Sequence, residues 1–456
     1  MTTSLISPLE PADVHRTLAR HILADGYDLV FDFEKSHGAW VHDARKGREL
    51  LDFMTFFGSN PIGYNHPKMK APEFLRVLHR VAQLKPSLAD VYSVEYATFV
   101  DTFARLAIPP DLRHAFFIEG GALAVENTLK TAFDWKVRRN RARGVAGERG
   151  TQVVHFREAF HGRSGYTLSL TNTDPAKTAL FPTFDWPRID VPALRFPVDE
   201  HIDEVVDAEA RALDQARDAF KRHPNDIACF IAEPIQGEGG DNHMRAEFLS
   251  GMQQLCHDND ALFVLDEVQT GLGMTGTMWA YQQLGLTPDV VAFGKKTQVC
   301  GIMAGRRVDE VPDNVFTVSS RINSTWGGNL TDMVRSRRML EVIEADDLPA
   351  RARHLGAELL ARLHDVAARH PAQITNVRGR GLMCAFDLPS AHARDTVVAQ
   401  LRDAERVLLL GAGERSIRFR PALTVATDEL VAACEAIDRV VAALPADDHQ
   451  LTRSLA

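Results

Sequence analysis

The chain has 456 residues, 45% apolar and 25% charged, which suits a globular enzyme with a large core and two domains. Its 52 basic residues fall short of its 61 acids, leaving a net charge of −9, so a nucleic-acid partner is not expected and the basic stretch 136–143 reads as a solvated helix face. Five cysteines without Cys-x-x-Cys, no secretory leader in the opening residues and no apolar run near the ~20 residues of a bilayer span make a cytoplasmic protein the expectation, with no membrane partner.

In chain order, residues 12–23 predict a helix, and 29–33 and 39–43 predict strands, the second alternating as a half-buried antiparallel strand does. From about residue 65, apolar runs alternate with helical ones. His114–Ile118 precedes a helix over 122–138, and 152–156, 227–232, 262–265 and 290–293 continue the series. Continuous apolar strands separated by helices indicate a mostly parallel sheet covered on both faces, hence an α/β protein. Beyond 336 come a helix over 350–369, strand-like runs at 374–377, 381–387, 406–410 and 417–420, and a last helix opening at Thr427-Asp-Glu429. The domain division expected is 1–64 as part of a small domain, 65–335 as the large domain and 336–456 as the C-terminal small domain.

Two strand ends carry the chemistry. One apolar run ends on Asp266-Glu-Val-Gln269-Thr-Gly271, and the next ends on Gly294-Lys295-Lys296. Residues 276–285 between them are long enough for a crossover helix, so two parallel strands would bring Asp266 and Lys295 to one carboxyl edge. A buried carboxylate to hold a pyridinium nitrogen and a lysine to form an imine are what pyridoxal phosphate needs, and the pair points to a transaminase. Lys296 is the rival for the amine. Gly120-Gly121-Ala122 opens a helix whose free N–H groups and dipole suit a phosphate.

Gly271-Leu-Gly273-Met-Thr-Gly276 is a formal dinucleotide fingerprint, so an NAD-dependent dehydrogenase is an alternative. The next acid, Asp289, opens the following strand rather than ending it, where no ribose contact forms. No His-Glu-x-x-His or His/Cys cluster suggests a metal. A non-catalytic binding relative would not need both Lys295 and Asp266. The triplets at Asn323 and Asn329 match a glycosylation signal but lack an export context.

From Leu51-Asp-Phe to Arg418-Phe-Arg-Pro421 the chain resembles the class III (ω-) aminotransferases of fold type I, most specifically in Asp266–Gly271 and the Lys295 segment. The resemblance implies a pyridoxal 5′-phosphate enzyme, a large domain built on a mostly parallel sheet with a smaller α/β domain, and a homodimer with shared active sites. It implies Lys295 as the amine that takes the cofactor, by the family's spacing from Asp289, and Asp266 and Gln269 at the ring nitrogen and ring hydroxyl. It places Phe160, in Phe160-His161-Gly162-Arg163, against the ring, and Gly121, Ala122 and the neighbouring subunit's Thr325 at the phosphate. Glu119-Gly-Gly-Ala departs there from the commoner Ser-Gly-Ser/Thr-Glu, leaving backbone donors to carry more. Substrate contacts are implied for Arg163, Asn323, Glu238 and Arg418, with Arg420 an open alternative to Arg418. Glu238 would neutralise the arginine while an amine donor is bound and swing aside for 2-oxoglutarate, the neighbouring glycines allowing the swing. The run from Phe293 to Arg307 is most similar to members acting on the side-chain amine of L-lysine; ornithine, acetylornithine and 4-aminobutyrate enzymes share nearly every motif.

Overall fold

The structure, a computed structural model, describes residues 9–444. Near its start, β1 (Trp40–Asp43) pairs antiparallel with β2 (Arg48–Asp52). The large sheet then gathers β3 (His114–Ile118), β4 (Gln152–Phe156), β5 (Arg188–Ile189) and β6 (Ile227–Ala232). A small hairpin, β7 (Ile235–Gln236) with β8 (Asn242–His243), leads on to β9 (Leu262–Asp266), β10 (Val290–Phe293) and β11 (Cys300–Ala304). Across the seven-stranded sheet the order is β3-β11-β10-β9-β6-β4-β5. From β5 to β10 all neighbours are parallel, and only β11 runs against both of its neighbours.

Every side chain of β6, β9 and β10 is buried, as a sheet covered on both faces demands. The period of two assigns the faces. Phe230, Phe263 and Phe293 join a core with Phe248, Leu249 and Ala216 from the helices Ala246–Asp258 and Val198–Arg222. Ile231, Val264 and Ala292 point the other way, onto Val125, Leu129 and Trp135 of the helix Gly121–Ala142. A second sheet, ordered β12-β13-β16-β15, is antiparallel and comprises β12 (Thr375–Arg380), β13 (Met383–Asp387), β15 (Leu410–Ala412) and β16 (Ser416–Arg418). Between β13 and β15 in the chain, β14 (Val407–Leu408) pairs parallel with β2, so segments about 350 residues apart share a three-stranded sheet.

Four local expectations change. The first helix is a 3-10 turn, Pro11–Asp13, followed only by Val14–Leu18; residues 19–23 have no buried face to pack, and a helix this short does not stand without one. Residues 29–33 contribute only an isolated bridge from Phe31 to Asp43. The β9–β10 crossover holds no α-helix, only a five-residue 3-10 turn, Ala280–Leu284. Gly271 there serves close approach: a Cβ on it would lie 2.4 Å from the buried Trp279 ring. The basic stretch is also not wholly solvated. Lys136 is 1% exposed and donates to the Asp260 carbonyl at 2.7 Å, and Arg139 and Arg143 pair with the Asp260 carboxylate. Among the described residues no helix is long and apolar enough to cross a membrane.

Candidate active site

β9 and β10 are adjacent and parallel, with Ala292 opposite Asp266. The chain leaves β10 through Gly294, where a Cβ would lie 2.8 Å from Cys300 Sγ, and enters a 3-10 turn that starts at Lys295 with φ +51. A non-glycine residue in the left-handed region costs about 1 kcal/mol or more, and such residues gather at functional sites. The turn separates the two lysines. Lys295 lines a pocket of about 620 Å³, whereas Lys296 is 1% exposed and donates to the Gln269 carbonyl at 2.5 Å. Burial, and then the charges of Arg418 and Arg420, bring the Lys295 pKa down to about 8.

Asp266, at the end of β9, is buried and accepts at Oδ2 from His161 Nδ1 at 2.8 Å and at Oδ1 from the Val268 N–H at 3.0 Å. Burial opposes a charge on His161, yet the bond and charge of Asp266, with Glu233 nearby, raise its pKa above the ordinary value. Glu233 accepts from the Phe160 and Gly237 N–H groups at 3.1 and 3.0 Å, and burial pushes its pKa up to about 7. The turn bearing Phe160 is pressed against the helix Gly121–Ala142: a Cβ on Gly162 would fall 2.6 Å from the Ala122 Cβ. That helix opens at Gly120, φ +92, with no side-chain cap and no acid in its first turn.

The two arginines are as unlike as the two lysines. All five N–H donors of Arg420 are engaged: two reach Asp241 at 2.9 and 2.5 Å, two reach Gln269 Oε1 at 2.9 and 2.7 Å, and one reaches the Phe419 carbonyl at 2.7 Å. Arg418 lines the pocket with one 3.3 Å bond to Gln269 Oε1 and a buried Nε that has no partner. Gln269 Oε1 is therefore spent on arginines. Arg163 lies over the Phe160 ring at 5.9 Å, and both line the pocket.

Glu238 lines the pocket too, but its carboxylate is bonded to Lys177, not to Arg418. The neighbouring glycines do not loosen it. A Cβ would lie 2.2 Å from Gln269 Oε1 at Gly237 and 2.2 Å from the Glu158 carbonyl at Gly239. The Gly413 N–H also donates to the Glu238 carbonyl at 2.8 Å, so these glycines serve close packing, and any motion belongs to the side chain. Asn323 and Thr325 are exposed and do not line this pocket. Four groups of the site were not singled out from the sequence: His161, Glu233, Asp241 and Lys177. A Glu-Pro after a strand and an acid after Gly-Gly were the only signals present for two of them.

A primary amine held near neutrality beside a buried carboxylate, with an unsatisfied arginine across the pocket, suits movement of an amino group between acids. Fold and site together define a transaminase. The chain belongs to the class-III aminotransferases, whose family pattern matches residues 22–441. It is 58% identical over 431 residues to an L-lysine-epsilon aminotransferase of Mycobacterium tuberculosis, covering 94% of this chain and 95% of the relative. It is 56% identical over 440 residues to the protein of that name from Streptomyces clavuligerus, with 96% of each covered. A solved lysine aminotransferase from M. tuberculosis superposes with a TM-score of 0.93 at 58% identity, over 95% of this chain and 99% of that one.

Proposed function

We propose that the chain transfers the side-chain amino group of L-lysine to 2-oxoglutarate, giving L-glutamate and 2-aminoadipate 6-semialdehyde, which cyclises. The observation that carries the choice of amine is the 56–58% identity to L-lysine-epsilon aminotransferases along more than nine-tenths of the chain. The pocket is consistent with it: Arg163 and Arg418 can each take a carboxylate as a two-donor fork, and Glu238 is an acid that can offset one of them.

The residues fit pyridoxal 5′-phosphate. Lys295 would hold its aldehyde, Asp266 its ring nitrogen, Phe160 the ring face, and the uncapped start of the helix Gly121–Ala142 its phosphate. There a Cβ on Gly120 would meet nothing within 4 Å, which leaves room for an anion. Bound there, the cofactor supplies an aldehyde that accepts and releases the amino group and a ring that takes up electron density when a C–H proton leaves.

The chain's own groups do the rest. Its pKa of about 8, set first by burial, keeps far more of Lys295 neutral near physiological pH than of an ordinary lysine. It is thereby available as a base for the proton on the carbon bearing nitrogen. His161 holds the Asp266 carboxylate in place with a charge-assisted bond, so the acid presents a fixed negative charge to a cationic ring nitrogen. Arg418 keeps an unsatisfied N–H for the carboxylate of a keto acid.

Asn323 and Thr325 are exposed and do not line the chain's own pocket, which supports a homodimer in which each chain completes its partner's site. All five cysteines are buried and unpaired, which suits the cytoplasm. An amine-donor panel with 2-oxoglutarate, with the products identified, tests the reading. L-Lysine should give glutamate and the cyclised imine at the highest kcat/KM. Faster turnover of ornithine, acetylornithine or 4-aminobutyrate would overturn the donor assignment.

A further inference from the structure

In the structure the Glu238 carboxylate rests on Lys177 rather than on Arg418, although both cations line the pocket with it. The Glu238 backbone is fixed by the Gly413 bond and by the close approaches at Gly237 and Gly239, so only its side-chain torsions can move the carboxylate. Two cations in the pocket are candidates to receive it. One is Arg418, whose buried Nε has no partner. The other is Lys177, on the last residue of the 3-10 turn Pro175–Lys177. Its ammonium is bonded to the Glu238 carboxylate and to Thr173 Oγ1 at 3.1 Å, and lies 5.6 Å from the centre of the Phe160 ring. Three partners thus steady the Lys177 head in a side chain only 17% exposed. Arg394, a further cation of the pocket wall, is spent on the carbonyls of Gly413 and Glu414 at 2.7 and 2.8 Å and on Asp395.

We propose that Lys177 is a positioning residue: the dock that holds the Glu238 carboxylate away from Arg418, leaving Arg418 open to the α-carboxylate of 2-oxoglutarate. The structure shows this docked arrangement, with Glu238 on Lys177 and Arg418 unsatisfied. An amine donor, which brings no carboxylate to Arg418, is served by the opposite arrangement. The balance between the two cations for one carboxylate then sets the preference between the two substrates of the cycle. The inference deepens the transaminase reading and rests on it.

Lys177→Gln removes the dock without opening the pocket, and Glu238 then remains on Arg418. A dicarboxylate must displace it with no receiving partner, and a partly exposed ion pair of this kind is worth about a fivefold change in binding. In the cofactor-loaded enzyme, calorimetric binding of glutarate, an unreactive dicarboxylate, should weaken about fivefold, while that of valerate, which has one carboxylate, should not change. KM for 2-oxoglutarate should rise by the same factor with kcat and the lysine half-reaction preserved, and Lys177→Arg should restore glutarate binding. In a Glu238→Gln background, Lys177→Gln should have no further effect. Equal weakening in both backgrounds would mean that Lys177 binds the ligand itself and would overturn the proposal. So would loss of both half-reactions without rescue by arginine, which marks a structural role. A wild-type enzyme that turns over no amine donor would instead sink the transaminase reading, while the glutarate measurements would still judge the dock.

Discussion

Asp241→Asn tests how the site keeps Arg420 out of the pocket. Asp241 is 0% and Arg420 1% exposed, and two parallel bonds of 2.9 and 2.5 Å join them. Asn keeps the shape, and it tolerates the left-handed backbone at this position, φ +51, so no strain is added. What is lost is the carboxylate bonded to the buried Arg420 guanidinium. Breaking one side of a buried ion pair costs about 3–5 kcal/mol, against about 5–15 kcal/mol for the whole stability of a typical domain. Urea unfolding of the cofactor-free protein should show a loss in that range. Because the penalty comes from an orphaned charge, adding Arg420→Met to Asp241→Asn, which leaves the left-handed backbone unstrained, should recover part of it. A loss under about 1 kcal/mol, the value of a surface pair, would refute the argument.

Lys295→Ala should escape covalent labelling by pyridoxal phosphate and borohydride, while Lys296→Ala, whose amine is committed to the Gln269 carbonyl, should still be labelled; the reverse pattern would exchange the two assignments. Glu238→Ala should slow the lysine half-reaction far more than the glutamate half-reaction, since it leaves Arg418 permanently uncompensated; equal losses in stopped-flow absorbance would make Glu238 structural. Mixing Lys295→Ala chains with Thr325→Ala chains should restore one intact site per mixed dimer if Thr325 serves its partner, and restore nothing if it serves its own chain. Burial raises Glu233 from near 4.5 to about 7, so in that window the unfolded chain loses a proton the native chain keeps, and stability falls as pH rises. Glu233→Gln should remove one proton's worth of that slope, about 1.4 kcal/mol per pH unit, and an unchanged stability–pH profile would refute it.

The parallel strands were legible because burial on both faces leaves mostly apolar residues: 152–156 and 227–232 are both predicted and observed at the same bounds. Asp266 and Lys295 could be located for the same reason, since a charge that ends such a run must sit at the sheet edge. The crossover between them was misread because its residues are fixed by contacts, such as Gly271 under Trp279, rather than by a period. His161 could not be given its role, because its partner Asp266 lies 105 positions on and no local pattern encodes that bond. Lys177 belongs to a loop with no periodicity and acquires meaning only from the hairpin turn that brings Glu238 to it. Period two put Arg418 and Arg420 on one face and stopped there; the choice lies with Asp241, 179 positions away from Arg420.

The site resolves two ambiguities of sequence by one device. Lys295-Lys296 and Arg418-Phe-Arg420 each offer two cations where the pocket has a use for one. In each case Gln269, just after β9, bonds the unused cation away: Lys296 through its carbonyl, and Arg420 through Oε1, together with Asp241 from the β7–β8 turn. Gln269 thus takes one cation on its backbone and another on its side chain. Gly237 is what lets that side chain in, since any larger residue would occupy the place of Oε1. The cations left over are the poorly satisfied ones. Burial and neighbouring charge lower both, Lys295 to about 8 and Arg418 to about 10, and neither loses its place on the pocket wall. The lowered pKa values of Lys295 and Arg418 therefore share a cause, burial first and then the charge of Arg420 beside them, and substitutions at Gln269 or Gly237, which set the place of Arg420, should disturb both together.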